Sequence, residues 1–157
     1  MSAEAQMKQS VVEVLVRRLP EAADLPLPEP ATAYAAGFDL RARVDEAIEI
    51  EPGSRTIVPS GIAIALPEGY EAQVRPRSGL ALHRGLTLLN TPGTVDADYR
   101  GEIGVILINL GQEAVRIERG ERIAQLVVQR LPRVRLREVE ELPASDRGPG
   151  GFGHTGT

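Results

Sequence analysis

Two carboxylates stand two residues apart in a polar internal stretch of the sequence. Asp96 and Asp98 lie in the run TVDADYRGE, residues 94–102. In extended backbone, residues two apart point to the same side of the chain, so both carboxylates would face one ligand. Near a phosphorylated ligand, a carboxylate can act as a general base towards water or hold a metal ion through water. A structural turn is the alternative, because turns rich in Asp and Gly are common.

A second candidate group is the run RPRSGLA, residues 75–81. Ser78 and Gly79 open a predicted helix, whose first N–H groups have no partner within the helix. Together with the guanidinium of Arg77, these groups form a suitable site for an anion. On local grounds alone, an ordinary capped helix with a solvated arginine is the slightly simpler interpretation.

Two polar side chains interrupt apolar strands. Asp39 lies in AGFDLRA and Gln125 lies in GERIAQL. A buried carboxylate needs a partner, which for Asp39 is either an arginine, the simpler interpretation, or a metal-bound water. For Gln125 the simpler interpretation is a hydrogen bond to neighbouring backbone.

Composition excludes several classes of protein. The net charge of −4 gives no sequence-wide basic surface for nucleic acid, and the absence of cysteine excludes disulfides, a thiol nucleophile and zinc sites built on cysteine. His83 and His154 are too far apart in sequence to suggest a metal pair, and there is no GxxxxGK[ST] phosphate loop. The polar first ten residues and the lack of a long apolar run predict no signal peptide, no membrane segment and a cytoplasmic location.

The elements that must position these residues are predominantly strands. Short β-branched segments, interrupted by Gly and Pro, predict an all-β sandwich or barrel. The helix predicted over residues 78–84 begins with Ser78 as its cap and ends at Gly85. Four prolines make residues 19–30 a loop, and residues 90–101 are predicted to be a long polar connection. Strands are predicted over residues 11–16, 38–44, 47–51, 55–58, 61–65, 70–74, 86–89, 102–109, 115–117, 123–129 and 134–138.

The chain divides into three parts. Residues 1–10 are predicted to be disordered, residues 11–142 form a β domain, and residues 143–157 form a Gly-rich C-terminal arm. The arm has five glycines between Gly148 and Gly156 and almost no apolar residues, so composition alone favours a frayed tail. Arg147 and Phe152 leave open the alternative of an arm that closes over a ligand.

Taken in order, five segments resemble the five motifs of the trimeric dUTPase family, and the resemblance spans nearly the whole chain from residue 11. It implies a jelly-roll or β-clip type barrel with one short helix. It also implies a homotrimer with active sites at subunit interfaces and a flexible C-terminal arm from one subunit covering a site formed by others. The segments are residues 36–42, 75–81, 90–103, 120–126 and 147–156.

The resemblance implies a phosphate and metal end of the site. Mg²⁺, chelated by the three phosphates, would be held by Asp39 through water, and Gln125 would hold the phosphate or the metal waters. The phosphates would be bound by Arg77, Ser78 and Gly79.

The resemblance also implies a part of the site that holds the uracil and the general base. Asp96 would be the general base that activates water for attack on the α-phosphorus, and it would share in substrate binding. Asn90 would read the uracil edge together with backbone around Thr94, Val95 and Gly104.

Sugar selection and closure are implied for the remaining residues. Tyr99 would pack beneath the deoxyribose and leave no room for a 2′-hydroxyl. Phe152 would stack on uracil, while Arg147 and Thr155 would grip the γ-phosphate. The arm residues expected to contact substrate are Arg147, Phe152, Gly153, His154 and Thr155.

Two positions depart from the family pattern, and two residues are expected to be structural. His154 stands where serine is common, and Gly104 stands where lysine is frequent, although the backbone contact expected at Gly104 needs no side chain. Asp98 and Arg100 are expected to hold the loop or the trimer.

The resemblance implies hydrolysis of dUTP to dUMP and pyrophosphate, which limits uracil incorporation into DNA and supplies dUMP for thymidylate synthesis. The expected partners are dUTP and further copies of the chain, with no nucleic acid and no membrane. A dCTP deaminase, or a bifunctional dCTP deaminase and dUTPase, on the same fold is the first alternative. A non-catalytic trimeric module that senses nucleotides is the second.

Overall fold

The structure is a computed structural model, and it describes residues 11–154 and 156. Within those residues the chain is mostly β with one short α-helix, α1 (Ser78–Arg84), as predicted, and a 3₁₀ turn at Pro20–Ala22. The strands are β1 (Leu15–Arg18), β2 (Phe38–Arg41), β3 (Ile48–Ile50), β4 (Arg55–Pro59), β5 (Ile62–Ala65), β6 (Tyr70–Arg75), β7 (Leu86–Leu88), β8 (Gly93–Val95), β9 (Gly104–Asn109), β10 (Val115–Ile117) and β11 (Arg122–Arg130).

The strands pair in antiparallel fashion. A four-stranded sheet has the order β2-β11-β6-β8, and a three-stranded sheet has the order β4-β9-β7. Two further pairs are β1 with β5 and β3 with β10. Strands β2 to β11 all contribute side chains to one buried apolar cluster, so the sheets share a single core. Burial of this apolar area is the main term that stabilises the fold.

The helix occupies the predicted residues, but its cap is different. Arg77, in extended conformation, precedes the first helical residue, and no side chain forms a cap hydrogen bond. The prediction of Ser78 as the cap is therefore wrong, because Ser78 already has helical backbone. Gly85 ends the helix in the left-handed conformation with a φ of 63°, as expected.

Three strand predictions are wrong. The strand predicted over residues 11–16 begins at Leu15 and runs to Arg18, since only these residues pair with β5. Residues 134–138 form no strand: Val134 and Leu136 are 76% and 92% exposed, and no described strand pairs with them. The connection predicted over residues 90–101 contains β8, which was missed because Gly93 and Thr94 give no apolar alternation.

The other predicted strands are present, with ends displaced by at most three residues. The loop predicted over residues 19–30 contains the 3₁₀ turn, which its first proline can begin. Among the described residues, no helix is long and apolar enough to cross a membrane. The disorder predicted for residues 1–10 falls outside the described residues.

Candidate active site

A pocket of about 250 Å³ opens between β8 and β9, and we call it the β8–β9 pocket. Residues from the four-stranded and the three-stranded sheets line it together. Six of its lining residues are ones that the sequence predicted to contact substrate: Asn90, Thr94, Val95, Asp96, Tyr99 and Gly104. The other lining residues are Ile57, Val74, Leu88, Gly93, Glu102, Ile103 and Ile106.

Strand pairing fixes one wall of this pocket. In β8, Thr94 lies opposite Gln73 and Val95 lies opposite Ala72 of β6. Val95 is buried in the core, so the alternation of a strand leaves Thr94 exposed on the other side. Asp96, directly after Val95, is exposed at the mouth of the pocket. The carboxylate is thus attached to a rigid strand end while remaining open to water.

The two neighbouring carboxylates do not share a face. The Tyr99 N–H donates to the Asp96 carbonyl at 3.1 Å, which closes a turn immediately after β8. Extended backbone was the condition for Asp96 and Asp98 to point the same way, and the turn removes it. Asp98 lies within this turn and is exposed, so the expectation that extended backbone places both carboxylates on one face is wrong.

The turn continues into a segment held by its own side chains. Arg100 donates from Nη1 to the carbonyls of Ala97 (2.7 Å) and Tyr99 (3.0 Å). The Tyr99 hydroxyl donates to the Glu102 carbonyl at 2.9 Å. Arg100 therefore holds the loop, in agreement with the structural role expected for it.

An ion pair lies behind this segment. Glu102 accepts from Arg43 Nε (2.9 Å) and Nη2 (3.1 Å) and from the Gly61 N–H (2.7 Å). Burial alone would raise the pKa of Glu102, but the hydrogen bonds from Arg43 and Gly61 outweigh it, so that the pKa of Glu102 lies below its ordinary value. The hydrogen bonds to Glu102 raise the pKa of Arg43.

Three of the predicted phosphate and metal residues, Asp39, Arg77 and Gln125, lie together with Arg122 in a second group, which we call the Asp39 cluster. The Asp39 carboxylate, 15% exposed, pairs with Arg77 at 3.1 Å and with Arg122 at 3.3 Å. The simpler interpretation of Asp39, an arginine partner, is confirmed. These two arginines offset the desolvation of the carboxylate.

Gln125 lies opposite Asp39 of β2 and opposite Arg75 of β6. Its Nε2 donates to the Pro76 carbonyl at 3.0 Å, which confirms the predicted hydrogen bond to neighbouring backbone. This bond fixes the amide so that Oε1 faces Gly37. A methyl group at Gly37 would lie only 2.8 Å from Oε1, so a larger residue there would displace the Gln125 amide.

The donor set of this cluster suits a metal held through water. Among the described residues, no group of three His, Cys, Asp or Glu side chains could hold a metal ion directly. A Mg²⁺ ion that keeps its waters and binds phosphates needs only one or two protein oxygens as acceptors. Asp39 and Gln125 supply a carboxylate and an amide oxygen on neighbouring strands, so they fit the expected ion.

Ser78 and Gly79 are both exposed in the first turn of α1. A side chain at Gly79 would meet nothing within 4 Å, so its backbone is open to approach. The N–H groups of the first turn have no acceptor within the helix. The start of α1 follows Arg77 directly and so adjoins the Asp39 cluster.

None of the described arm residues lines the β8–β9 pocket or is a hydrogen-bond or ion-pair partner of the Asp39 cluster. Phe152 is fully exposed, with a φ of 52°. Arg147 Nε donates to the Gly150 carbonyl at 2.8 Å, and the His154 N–H donates to the Gly151 carbonyl at 3.1 Å. Gly153 is exposed as well, and Thr155 falls outside the described residues. The described part of the arm forms turns with itself.

Three of the residues that sequence reasoning missed at these sites are informative. Ile57 lines the β8–β9 pocket while 65% exposed, and the alternation of β4 around the buried Val58 could have pointed it outward. Glu102 stands in the run that was singled out but received no role. Arg122 lies three residues before Gln125, and its pairing with Asp39 spans 83 residues, a separation that no local pattern reports.

The site defines a class: a small β domain with a carboxylate at the mouth of a pocket and a separate arginine-rich group suited to phosphates. A sequence profile of the dUTPase family matches residues 23–156. The chain belongs to the dUTPase family.

Individual relatives agree with this. The chain is 57% identical to the deoxyuridine 5'-triphosphate nucleotidohydrolase of Syntrophotalea carbinolica over 92% of this chain and 97% of the relative. It is 59% identical to the enzyme of the same name from Caulobacter vibrioides over 85% of this chain and 88% of the relative. Among solved structures, the dUTPase of Staphylococcus bacteriophage 80alpha, a G164S mutant with dUpNHpp, superposes with a TM-score of 0.83. It is 27% identical and is matched over 92% of this chain and 99% of that chain.

Proposed function

We propose that this protein hydrolyses dUTP to dUMP and pyrophosphate. Its relatives from Syntrophotalea carbinolica and Caulobacter vibrioides are named for hydrolysis of deoxyuridine triphosphate. One observation of this chain carries the proposal: a single pocket is lined by Asp96, Asn90 and Tyr99. Asp96 is the expected general base, Asn90 the expected contact of the uracil edge, and Tyr99 the residue expected to exclude a ribose.

The reaction assigned to Asp96 is general-base catalysis. Its carboxylate takes a proton from a water molecule as the water oxygen forms a bond to the α-phosphorus. The bond between the α-phosphorus and the bridging oxygen to the β-phosphorus breaks, and pyrophosphate leaves with that electron pair. The exposure of Asp96 at the pocket mouth supports this role because water reaches it directly.

The Asp39 cluster is the proposed phosphate end. A bound Mg²⁺ supplies charge neutralisation and polarises phosphate oxygens. Asp39 and Gln125 would accept hydrogen bonds from its waters, and Arg77 would bind phosphate together with the N–H groups of Ser78 and Gly79. A triphosphate carries about four negative charges at neutral pH, so these cations also limit repulsion of the carboxylate at Asp96.

The pocket is the proposed nucleoside end. Asn90 and the backbone of Thr94, Val95 and Gly104 would read the uracil edge. Tyr99 would pack beneath the deoxyribose, where a ring held in place excludes a 2′-hydroxyl by steric contact.

The proposal includes a homotrimeric jelly-roll barrel with shared active sites. The division of the expected contacts supports it, because among the described residues no residue of the Asp39 cluster or of the arm lines the β8–β9 pocket. Val134 and Leu136 are exposed in a segment patterned as a strand, which also suggests that another chain covers it. In this arrangement residues 11–142 form the β domain and the arm closes over the site. Arg147 and Thr155 would contact the γ-phosphate and Phe152 would stack on uracil. Gly153 and His154 would lie beside them. A cytoplasmic location is part of the proposal and is compatible with the absence of cysteine.

The central test is Asp96→Asn, with Asp98→Asn as the matched control two residues away. Loss of a general base lowers turnover by roughly 10²–10⁴-fold, so we expect Asp96→Asn to release pyrophosphate from dUTP and Mg²⁺ at least about a hundredfold more slowly. Asp98→Asn should stay near the normal rate. Near-normal turnover of Asp96→Asn would show that the base is another group.

The alternative functions are less well supported. The names of the relatives and the family favour hydrolysis over deamination of dCTP. A non-catalytic module would be expected to lack at least one of the five motifs, and all five are present in this sequence. Tight binding of dUTP without pyrophosphate release would restore that alternative.

A further inference from the structure

Glu102 is the one carboxylate that lines the β8–β9 pocket besides Asp96. Its carboxylate is already engaged in hydrogen bonds, because two nitrogens of Arg43 and the Gly61 N–H donate to it. The side chains of Arg43 and Glu102 are 19% and 22% exposed, so solvent screens this ion pair less than it screens a pair on the surface. Bidentate pairing also fixes the relative orientation of the two groups.

The backbone on either side of Glu102 is fixed by the same neighbouring segment. The Ile103 N–H donates to the Ile62 carbonyl at 2.9 Å, and the Ser60 N–H donates to the Ile103 carbonyl at 3.0 Å. Together with the hydrogen bond from Gly61 to the Glu102 carboxylate, residues 60–62 therefore hold residues 102 and 103 in place. The position of the Glu102 carbonyl is therefore well determined.

That carbonyl is the acceptor for the Tyr99 hydroxyl. The Tyr99 side chain is 46% exposed, so packing alone does not fix its ring. The ring also lies close over Gly101, where a methyl group would come within 2.4 Å of the hydroxyl oxygen. The orientation of Tyr99 thus depends on the carbonyl that Glu102 presents.

We propose that Glu102, paired with Arg43, is a positioning residue that holds the Tyr99 ring in place and thereby sets the preference for a deoxyribose over a ribose. This inference rests on the proposed function of Tyr99 as the sugar filter. Glu102 acts through Tyr99 and has no contact with the reacting atoms. The pKa of Glu102 is held below its ordinary value, so the pair stays charged at neutral pH.

The test measures the ratio of kcat/KM for dUTP to kcat/KM for UTP in the full-length protein with Mg²⁺. Glu102→Gln keeps the shape of the side chain and an acceptor for Gly61, but it removes the charge that pairs with Arg43. Tyr99→Phe keeps the ring and removes its hydrogen bond. We expect each variant to lower the ratio by about tenfold, since hydrogen bonds to charged groups and the positions they fix contribute on that scale. The double variant should lose little more than either single one, because both act on one interaction.

Asp24→Asn is the control for a general loss of stability. Asp24 also forms a bidentate pair, with Arg119 at 2.6 and 3.0 Å, and it does not line the β8–β9 pocket. The ratio of kcat/KM for dUTP to kcat/KM for UTP in Asp24→Asn should equal that of the unmodified protein. If Asp24→Asn lowered the ratio as much as Glu102→Gln, the effect would be one of stability and the inference would fail.

The remaining outcomes separate the inference from the proposed function. If the unmodified protein does not prefer dUTP, the role of Tyr99 as sugar filter is wrong. If it prefers dUTP and Glu102→Gln stays within about twofold of its ratio, the pair is only structural and the inference is overturned. An unchanged ratio in Tyr99→Phe would overturn it as well. Should Glu102→Gln fail to fold, Arg43→Lys, which keeps the charge but loses the fork, and Tyr99→Phe decide the question by the same ratio.

Discussion

The β8–β9 pocket and the C-terminal arm contain two of the three groups of expected substrate contacts, and they are built in opposite ways. Most pocket residues belong to strands of two sheets that share one core, and Asp96 and Tyr99 follow β8 in a turn closed by a backbone hydrogen bond. The described arm residues are nearly all exposed, and their hydrogen bonds lie within the arm. The pocket is formed without substrate, whereas the proposed role of the arm requires it to close over a bound substrate.

This difference assigns different tasks to the two regions. A preformed pocket can discriminate between sugars and bases, because displacing packed side chains costs free energy. An arm that orders on substrate loses conformational entropy, so part of its binding energy is offset. In return, closure excludes water and completes the site. Apart from Asp96, whose loss should lower turnover, variants in the pocket region should therefore affect stability or selectivity, whereas variants in the arm should affect turnover and KM without affecting stability.

The largest effect is expected for a core residue behind the pocket. Leu107 is fully buried in β9, the strand that supplies Gly104 and Ile106 to the pocket wall. Leu107→Ala should lower the free energy of unfolding by about 3 kcal/mol through lost burial and the cavity left behind. Denaturant unfolding at matched protein concentration measures this. A loss below about 1 kcal/mol would mean that the pocket region is less tightly packed than the structure indicates.

Deletion of the chain after Asp146 tests the arm. We expect the shortened protein to fold and assemble as before, while kcat/KM for dUTP falls roughly a hundredfold, the scale of a misplaced catalytic group. Thermal unfolding and pyrophosphate release give the two readouts. Unchanged activity would show that the arm is a frayed end, and a large drop in the unfolding midpoint would break the contrast between the two regions.

Phe152→Ala tests one contact of the arm. Stacking of a base on an aromatic ring is worth about 1–3 kcal/mol, so kcat/KM for dUTP should fall about tenfold. The unfolding midpoint should not change, because Phe152 is fully exposed and contributes no core packing. Phe152→Tyr, which keeps an aromatic face, is the matched control and should retain most activity. Equal activity of the alanine and tyrosine variants would show that stacking of Phe152 on the base does not contribute to kcat/KM.

The smallest effect concerns acid stability at a site away from both regions. The hydrogen bond from Arg119 lowers the pKa of Asp24 from 3.8 to about 2. Because the pKa is lower in the folded state, the pair stabilises the fold above pH 3.8 and loses this effect as the pH falls towards 2. Asp24→Asn should therefore unfold at a slightly lower temperature than the unmodified protein at pH 6, and the gap should close near pH 2. A gap that is independent of pH would contradict the assignment.

Much of the fold could be predicted from the sequence, and the errors have physical causes. The helix from Ser78 to Arg84 and most strands follow from periodicity and Gly or Pro signals. β8 was missed because it is only three residues long and begins with Gly93, whose low strand propensity is offset by the pairing with β6. Residues 134–138 alternate like a strand, but the pattern cannot supply a partner strand.

The site was predicted less completely than the fold. The gathering of Asn90, Asp96 and Tyr99 follows from motifs in one stretch of sequence. The turn at Asp96 depends on a hydrogen bond that the alternation of side chains does not report. The pairs of Asp39 with Arg122 and of Glu102 with Arg43 join residues 83 and 59 positions apart, and no local pattern indicates such contacts.

The most direct test of the central claim is the rate of pyrophosphate release by the unmodified protein with Mg²⁺ and each of dUTP, UTP, dTTP and dCTP. Ammonia is measured in the same reactions. The account predicts release from dUTP far above the other three nucleotides, with no ammonia from dCTP. Comparable release from UTP, or ammonia from dCTP, would contradict it.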